Sequence, residues 1–323
     1  MLTFLGRRLA QLLPTLLGVA VLTFVLLRMI PGDPTTMAGG QTMSEEVRKH
    51  LMEQWHLDKP WYVQLGYYLK GLPTLDLGVS MRFDRPVREM IGEYFVRTLQ
   101  LGLCAFALSA TAGIALGIVS ALFKDRWPDR AILAFTLLGI STPVFVTGVL
   151  LILVASAVGW NYSSLSGMDL NMPGPYGTFS RAIGFDPRFV VLPALTLGAR
   201  SIAYLARMTR AAVLEAGTAD HLRTARAKGL GPWKVVLKHQ LKNAMIPITT
   251  VVGLNFADFL TGAIITETVF QWPGLGFLVK KAIEFRDIPV IMGSVLFVTF
   301  LFVTINFVVD ILYAYFDPRI RLA

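Results

Sequence analysis

Six long apolar stretches constrain this chain more than any other feature of its sequence. Each is close to or longer than the roughly 20 residues that a helix needs to cross a bilayer. The stretches cover residues 9–29, 99–123, 131–158, 189–208, 246–265 and 289–311. Because a chain in lipid must pair its own backbone polar groups, this pattern predicts an all-α integral membrane fold with six transmembrane helices.

The composition agrees with lipid as the main solvent of the chain. Hydrophobic residues make up 54% and charged residues 16%, whereas soluble domains carry roughly 25% charged residues. The first apolar stretch is long and has no small-residue cleavage site after it, so we expect a retained signal-anchor helix behind a cytoplasmic segment of residues 1–8. Residues 9–323 are then expected to form one transmembrane domain.

The distribution of Lys and Arg predicts the orientation. With the N-terminus inside, fifteen of these residues fall in inner segments and five in short outer loops. The long outer loop of residues 30–96 is left out of the count because long loops cross the membrane regardless of their charge. We therefore expect both termini in the cytoplasm. The net charge of +9 then reflects this asymmetry and requires no nucleic-acid partner.

Three segments outside the apolar stretches are candidates for function. The outer loop 30–96 contains amphipathic patterns at 44–55 and 60–69, with Ser44 as a plausible N-cap. A second outer loop, 159–186, is rich in Gly, Pro and Ser and is predicted to be irregular. The cytoplasmic segment 211–242 is polar and has helical spacing.

A short helix is predicted just before Gly229 in the cytoplasmic segment. Thr218 or Asp220 suits its start, Arg226 and Lys228 suit its last turn, and Gly229 suits the position after its end. Two interpretations remain open for this helix. It docks into a groove on a cytoplasmic partner, or it is a solvated linker whose arginines bind anionic lipid headgroups. Docking is favoured because small alanines let another surface come close.

Polar residues within the apolar stretches are expensive in lipid and are a second set of candidates. Asn255 and Asp258 lie in the fifth stretch, and Asn306 and Asp310 lie in the sixth. Asn255 and Asp258 line a translocation path or else bond to neighbouring helices or to a partner subunit. We expect Asp310 to be structural, and Arg200 in the fourth stretch to snorkel to the membrane surface.

Six sequence motifs extend over nearly the whole chain. They are IPGDP at 30–34, LDKP at 57–60, RTARAKG at 223–229, NAMIP at 243–247, TETVFQWPGLG at 266–276 and VDILYAYFDPRIR at 309–321. Taken together, they resemble the dipeptide/oligopeptide permease family of ABC importers, closest to the B-type membrane subunit of dipeptide permease. In the 266–276 motif, the Pro and Gly residues indicate an outer turn or a short re-entrant loop that contacts the binding protein, although a tight turn alone explains them.

The cytoplasmic motif departs from the pattern of the wider ABC permease family. That pattern is Glu-Ala-Ala, a glycine six residues after the Glu, and then Ile-x-Leu-Pro. The corresponding residues here are Arg223, Thr224, Ala225, Gly229, His239, Leu241 and Lys242. The departure leaves the docking role intact, but individual contacts to an ATPase do not carry over from the wider family.

The resemblance implies a type I ABC importer permease fold in the cytoplasmic membrane of a bacterium or archaeon. It also implies a homologous second permease subunit, two cytoplasmic ATPase subunits and an extracytoplasmic peptide-binding protein. Because the sequence has no Gly-x-x-x-x-Gly-Lys phosphate loop, ATP and Mg²⁺ are expected on the ATPase subunits. The chain itself is expected to be non-catalytic and to hold no cofactor or metal.

The resemblance further implies that ATPase closure pushes on a coupling helix and switches the membrane helices between two openings. The expected coupling residues are Arg223, Thr224, Ala225, Arg226, Ala227, Lys228 and Gly229.

Dipeptides or short oligopeptides are the expected substrates. Nickel chelates, glutathione and oligosaccharides are alternatives within the family. An ion-coupled secondary transporter is a remote alternative, because such proteins show repeated halves, and an intramembrane enzyme is disfavoured because its motifs are missing.

Overall fold

The structure is a computed structural model that describes residues 2–29, 45–158, 187–261 and 263–316. Within these ranges the regular elements are helices, and a single antiparallel bridge joins Val79 to Pro86. The loop 159–186, the motif at 30–34 and the last seven residues lie outside the described residues. The predicted all-α architecture therefore holds for the described part of the chain.

The helices are numbered here in chain order. They are α1 (Leu2–Met29), α2 (Glu45–Gln54), α3 (Trp61–Gly71), α4 (Val87–Leu122), α5 (Trp127–Ser141), α6 (Val144–Ala157), α7 (Pro187–Ala216), α8 (Asp220–Ala227), α9 (Pro232–Val235), α10 (Leu241–Thr261), α11 (Ile264–Val269), α12 (Leu275–Phe285) and α13 (Ile288–Phe316). The chain divides into two compact units, and the boundary after Thr98 falls inside α4.

The first unit contains residues 1–98 and 273–323. In it α1 packs against α13, and a core forms from the start of α4, from α12 and from the start of α13. Ile91, Leu278 and Val290 are nearly inaccessible in this core. The amphipathic patterns predicted in the outer loop are confirmed as α2 and α3, within a few residues at each end.

The second unit contains residues 99–272, and α7 is its central helix. Helices α5, α6 and α10 all pack against α7. One cluster of buried side chains includes Leu101, Leu197 and Phe259, and another joins Val213 to Ile248. Burial of these apolar side chains fixes the helices around α7, since apolar burial stabilises packed elements in rough proportion to area.

Three described helices are long and apolar enough to cross a membrane. They are α1 over Gln11–Met29, α4, and α13 over Ile288–Val308. The pair α5 and α6 adds a fourth if it is one broken span. Helix α7 contains the fourth predicted stretch and α10 contains most of the fifth, and neither helix meets the same test within the described residues. The structure thus fits an integral membrane protein, and the count of six spans stays a prediction.

The third predicted stretch differs from the structure in its continuity. Instead of one helix over 131–158, α5 and α6 meet at an angle of 116°. The break falls at Thr142 and Pro143, and Thr142 has extended backbone angles of φ −85° and ψ 129°. The physical reason is the proline, which has no N–H to donate and disfavours helical geometry at the residue before it.

Candidate functional site

The predicted short helix before Gly229 is confirmed as α8. Gly229 has φ +76°, in the left-handed region that glycine enters without a steric cost. The N–H of Leu230 reaches back to the carbonyl of Ala225 at 3.4 Å, which closes the end of the helix. Helix α9 then begins at Pro232, where the missing N–H costs nothing. Gly229 therefore ends α8, and Pro232 begins the next helix.

The residues predicted to start α8 have different roles in the structure. The Thr218 hydroxyl donates to the carbonyl of Glu215 at 2.8 Å, so it serves the last turn of α7. Asp220 is the first residue of α8 and lies 3.9 Å from Arg223 across one turn. Both side chains of this pair are almost fully exposed, so the pair adds little to stability.

The inner face of α8 forms a small core with the segment that follows it. Leu222, Ala225 and Val235 are buried, with Leu230 packed beside them. Leu222 has no exposed surface at all, and full burial of a leucine stabilises a fold by about 1.5–3 kcal/mol. These four residues, which we call the loop core, hold α8 against α9.

The outer face of α8 is exposed and basic. Five of the seven predicted coupling residues are exposed, and these are Arg223, Thr224, Ala227, Lys228 and Gly229. Ala225 is 6% exposed and belongs to the loop core, so it supports the helix from within. The side chain of Arg226 lies outside the described residues. The helix thus presents a small, positively charged surface on a fixed support.

The two ends of the 211–242 segment are tied to each other. The Gln240 side chain donates from Nε2 to the carbonyl of Val213 near the end of α7, at 2.8 Å. At Gly217 a Cβ atom would lie 2.8 Å from the same nitrogen, so a side chain there would displace Gln240. Residues Val236–Gln240 form one wide π-helical turn that leads into α10, a feature that is frequent at functional sites. The end of α7 and the segment that leads into α10 are therefore held together.

The two polar residues predicted to line a path, Asn255 and Asp258, both lie in α10. Asn255 is half-buried, and its Nδ2 donates to the carbonyl of Val251 in its own helix at 2.8 Å. The side chain of Asp258 lies outside the described residues, as does that of Asp310. Arg200 is exposed on α7 and Asn306 is half-buried on α13. A role for Asn255 and Asp258 in a translocation path stays a prediction.

The segment after α11 makes a tight turn. Gln271 has φ +50°, and the N–H of Trp272 donates to the carbonyl of Glu267 at 2.8 Å. Trp272 and Glu267 are both buried, at 3% and 0% exposure. A tight turn is thus present within the 266–276 motif, and contact with a binding protein stays a prediction.

Comparison with known proteins agrees with these features over the whole length of the chain. Residues 113–322 match the family described as binding-protein-dependent transport system inner membrane component, and residues 1–102 match the N-terminal family of the same systems. The dipeptide transport system permease protein DppB of Escherichia coli (strain K12) is 40% identical over 337 aligned residues, which cover 99% of each chain. The glutathione transport system permease protein GsiC of the same strain is 41% identical over 323 residues, again 99% of each chain.

The family matches cover most of the chain, and the two relatives align with 99% of it. Both findings agree with the apolar helices of the structure. The chain therefore belongs to the inner membrane components of binding-protein-dependent transport systems, and it is a membrane permease subunit.

Proposed function

We propose that this chain is the permease subunit of an ATP-driven importer for dipeptides or short oligopeptides. The similarity to a dipeptide permease over 99% of both chains supports this substrate class. The sequence motifs at 223–229, 243–247 and 266–276 support the same class through their resemblance to peptide permeases. The complex takes its substrate from a binding protein, in keeping with the family description.

The observation that carries the mechanism is the division of α8 into a buried face and an exposed face. The loop core holds the helix in a fixed position, and Arg223 and Lys228 project from the other side. A basic helix on a rigid support suits a groove on an ATPase subunit, where charge complementarity sets register and orientation. Closure of the ATPase pair pushes on α8, and the push passes to α7 and α10 at the tied ends of the loop.

The complex that we propose has a homologous second permease subunit, two cytoplasmic ATPase subunits and an extracytoplasmic peptide-binding protein. The chain crosses the bacterial inner membrane six times and has both termini in the cytoplasm. The positive-inside distribution of Lys and Arg supports this orientation. The sequence has no Gly-x-x-x-x-Gly-Lys loop, so the ATPase subunits bind ATP and Mg²⁺ and this chain performs no chemistry.

Glutathione is a second candidate substrate, and one observation favours it. The glutathione permease GsiC is as similar to this chain as the dipeptide permease, at 41% identity over its full length. Nickel chelates and oligosaccharides have less support. Among the described residues no group of three or more His, Cys, Asp or Glu side chains is arranged to hold a metal ion.

Reconstitution of the complete complex tests the proposal. The chain is expressed with the products of its neighbouring genes, and ATP hydrolysis and uptake of labelled dipeptide, glutathione and nickel are measured with and without the binding protein. We expect dipeptide and binding protein together to stimulate hydrolysis and uptake. Stimulation by glutathione instead would replace the substrate assignment. Uptake driven by an ion gradient, without any ATPase subunit, would contradict the importer mechanism.

A further inference from the structure

One buried carboxylate joins three helices of the second unit. Asp129, in the first turn of α5, is 1% exposed. It accepts a hydrogen bond from the Ser120 hydroxyl at 2.5 Å and one from the backbone N–H of Asp125 at 2.9 Å. Arg210 donates to both of its oxygens, from Nε at 2.8 Å and from Nη2 at 2.7 Å. The carboxylate is thus fully paired, and its partner binds in the two-pronged geometry that fixes orientation.

The three side chains come from different helices. Ser120 is in α4, Asp129 is in α5, and Arg210 is near the end of α7. Helix α7 ends at Ala216, and α8 begins four residues later at Asp220. The pair therefore lies near the end of α7 that leads to α8.

Glycines hold α4 against α7 below the ion pair. A Cβ atom at Gly117 would lie 2.5 Å from Cβ of Thr209 and 2.6 Å from the carbonyl oxygen of Ala206. A Cβ atom at Gly113 would lie 2.7 Å from Cβ of Leu205. This small-x-x-x-small spacing brings two helix backbones into direct contact, as in many membrane helix pairs. Backbones packed this closely leave no room for the helices to slide past each other.

A stabilising role alone is a weak explanation for the ion pair. Two buried charges cost desolvation free energy that their attraction often only balances, and apolar replacements of such pairs are frequently neutral or stabilising. The main effect of a two-pronged contact is geometric, because it fixes the direction of one helix relative to another. Because the ion pair lies beside the cytoplasmic loop, the fixed direction of α7 relative to α5 matters for coupling.

We propose that Asp129 and Arg210 are positioning residues that make α4, α5 and α7 move as one body when α8 is pushed. The proposal rests on the coupling role of α8 given above. The pair touches no substrate and no nucleotide. It acts by transmitting the displacement of α7 to α5 across their cytoplasmic ends. Without it the end of α7 bends on its own, and ATP hydrolysis proceeds without the full movement of the other helices.

Transport per ATP hydrolysed in the reconstituted complex is the functional readout. Arg210→Lys keeps the charge but loses the two-pronged fork, and the double variant Asp129→Leu with Arg210→Met removes both charges together. Arg207→Lys is the matched control, since Arg207 is an exposed arginine on the same helix. We expect peptide transported per ATP to fall about threefold in Arg210→Lys and about tenfold in the double variant, with basal hydrolysis and complex yield retained.

Unchanged transport per ATP in both Arg210→Lys and the double variant would overturn the proposal. So would a parallel loss of basal hydrolysis, yield and transport, because that result shows structural support alone. A wild-type complex without peptide-stimulated hydrolysis would instead overturn the proposed function. The role of the Asp129–Arg210 pair is then tested by the distance between α5 and α7.

The distance measurement needs no transport. Spin labels replace the exposed Leu137 on α5 and Tyr204 on α7 in a Cys104→Ser background, and double electron–electron resonance gives the distances in the full chain. We expect one narrow distribution in the wild type and a broader one in Arg210→Lys, with Arg207→Lys like the wild type. Equal widths in all three would show that the pair does not hold α5 and α7 together.

Discussion

Two short helices outside the apolar stretches, α8 and α3, are supported in different ways. Helix α8 buries Leu222 and Ala225 in the loop core. Helix α3 has no fully buried residue, and its Trp61 and Tyr62 are 55% and 61% exposed. A helix with its own core keeps its shape when it is pushed, whereas a helix without one depends on what surrounds it.

The exposed surfaces of the two helices also differ in chemistry. Helix α8 presents the cations Arg223 and Lys228. Helix α3 is rich in aromatic residues, with Tyr67 stacked on His56 at a centroid distance of 4.5 Å, and it borders a cleft of about 420 Å³. Exposed Trp and Tyr are typical of a membrane–water interface. This difference supports the proposal that α8 docks on a protein partner, whereas the aromatic surface of α3 suits a membrane–water interface.

The largest expected effect comes from reversing the charge of α8. In Arg223→Glu we expect peptide-stimulated ATP hydrolysis to fall by about tenfold or more, because a misplaced charge at a docking surface weakens complexes strongly. The matched control is Lys70→Glu, which reverses an exposed cation on α3. Hydrolysis is measured in the reconstituted complex. A loss of stimulation in Lys70→Glu, or none in Arg223→Glu, would break the distinction between the helices.

The second largest effect is expected from disrupting the loop core. Leu222→Ala empties the centre of this cluster, and a buried Leu→Ala change costs about 2–5 kcal/mol. We expect α8 to lose its fixed position and the ATPase subunits to bind about tenfold more weakly in a pull-down titration. Leu237→Ala is the control, because Leu237 is 63% exposed, and it should bind as the wild type does. Equal affinities for the two variants would show that α8 needs no core of its own.

The end of α8 provides a smaller effect. Gly229→Ala places a side chain at φ +76°, and left-handed geometry costs a non-glycine residue about 1–2 kcal/mol. Gly231→Ala is the control, because a Cβ atom there meets nothing within 4 Å and its φ is not left-handed. We expect stimulated hydrolysis to fall severalfold in Gly229→Ala and to change little in Gly231→Ala. Identical behaviour of both would argue against a fixed helix end.

The smallest expected effect is in the cleft beside α3. The Tyr68 hydroxyl has no hydrogen-bond partner among the described residues, and burial raises the pKa of Tyr68 to about 12. The side chain is therefore neutral at physiological pH. Tyr68→Phe should leave the melting temperature of the complex unchanged or slightly higher, because it removes an unpaired buried polar group. The control Tyr67→Phe changes an exposed tyrosine of the same helix. A fall in stability or uptake in Tyr68→Phe alone would indicate a bound partner in the cleft.

Local features of the fold could be predicted from the sequence. The position of α8 followed from glycine and proline signals. The amphipathic spacing in the outer loop correctly predicted α2 and α3. These signals act within one or two helical turns, so the residues that carry them are adjacent in the sequence.

Features that depend on distant residues could not be predicted in this way. Asp129 and Arg210 are separated by 81 residues, and no local pattern pairs a lone aspartate with one of many inner-side arginines. Burial of Ala225 depends on Val235 in a later element. The bend at Pro143 had a sequence signal in the proline itself, but the length of the apolar run outweighed it. Both helices at the 116° bend also pack against α7, which lies far along the chain from Pro143.

Site-specific cross-linking tests the central claim most directly. In a Cys104→Ser background, a single cysteine replaces Ala227 on the exposed face of α8, and in a second variant it replaces Tyr62 on α3. Each complex is treated with a short thiol-to-amine cross-linker, and the product is identified by mass spectrometry. We expect the cysteine at 227 to join the ATPase subunit and the cysteine at 62 to leave it unmodified. Cross-linking of the ATPase subunit through position 62, with none through position 227, would contradict the assignment of α8 as the coupling helix.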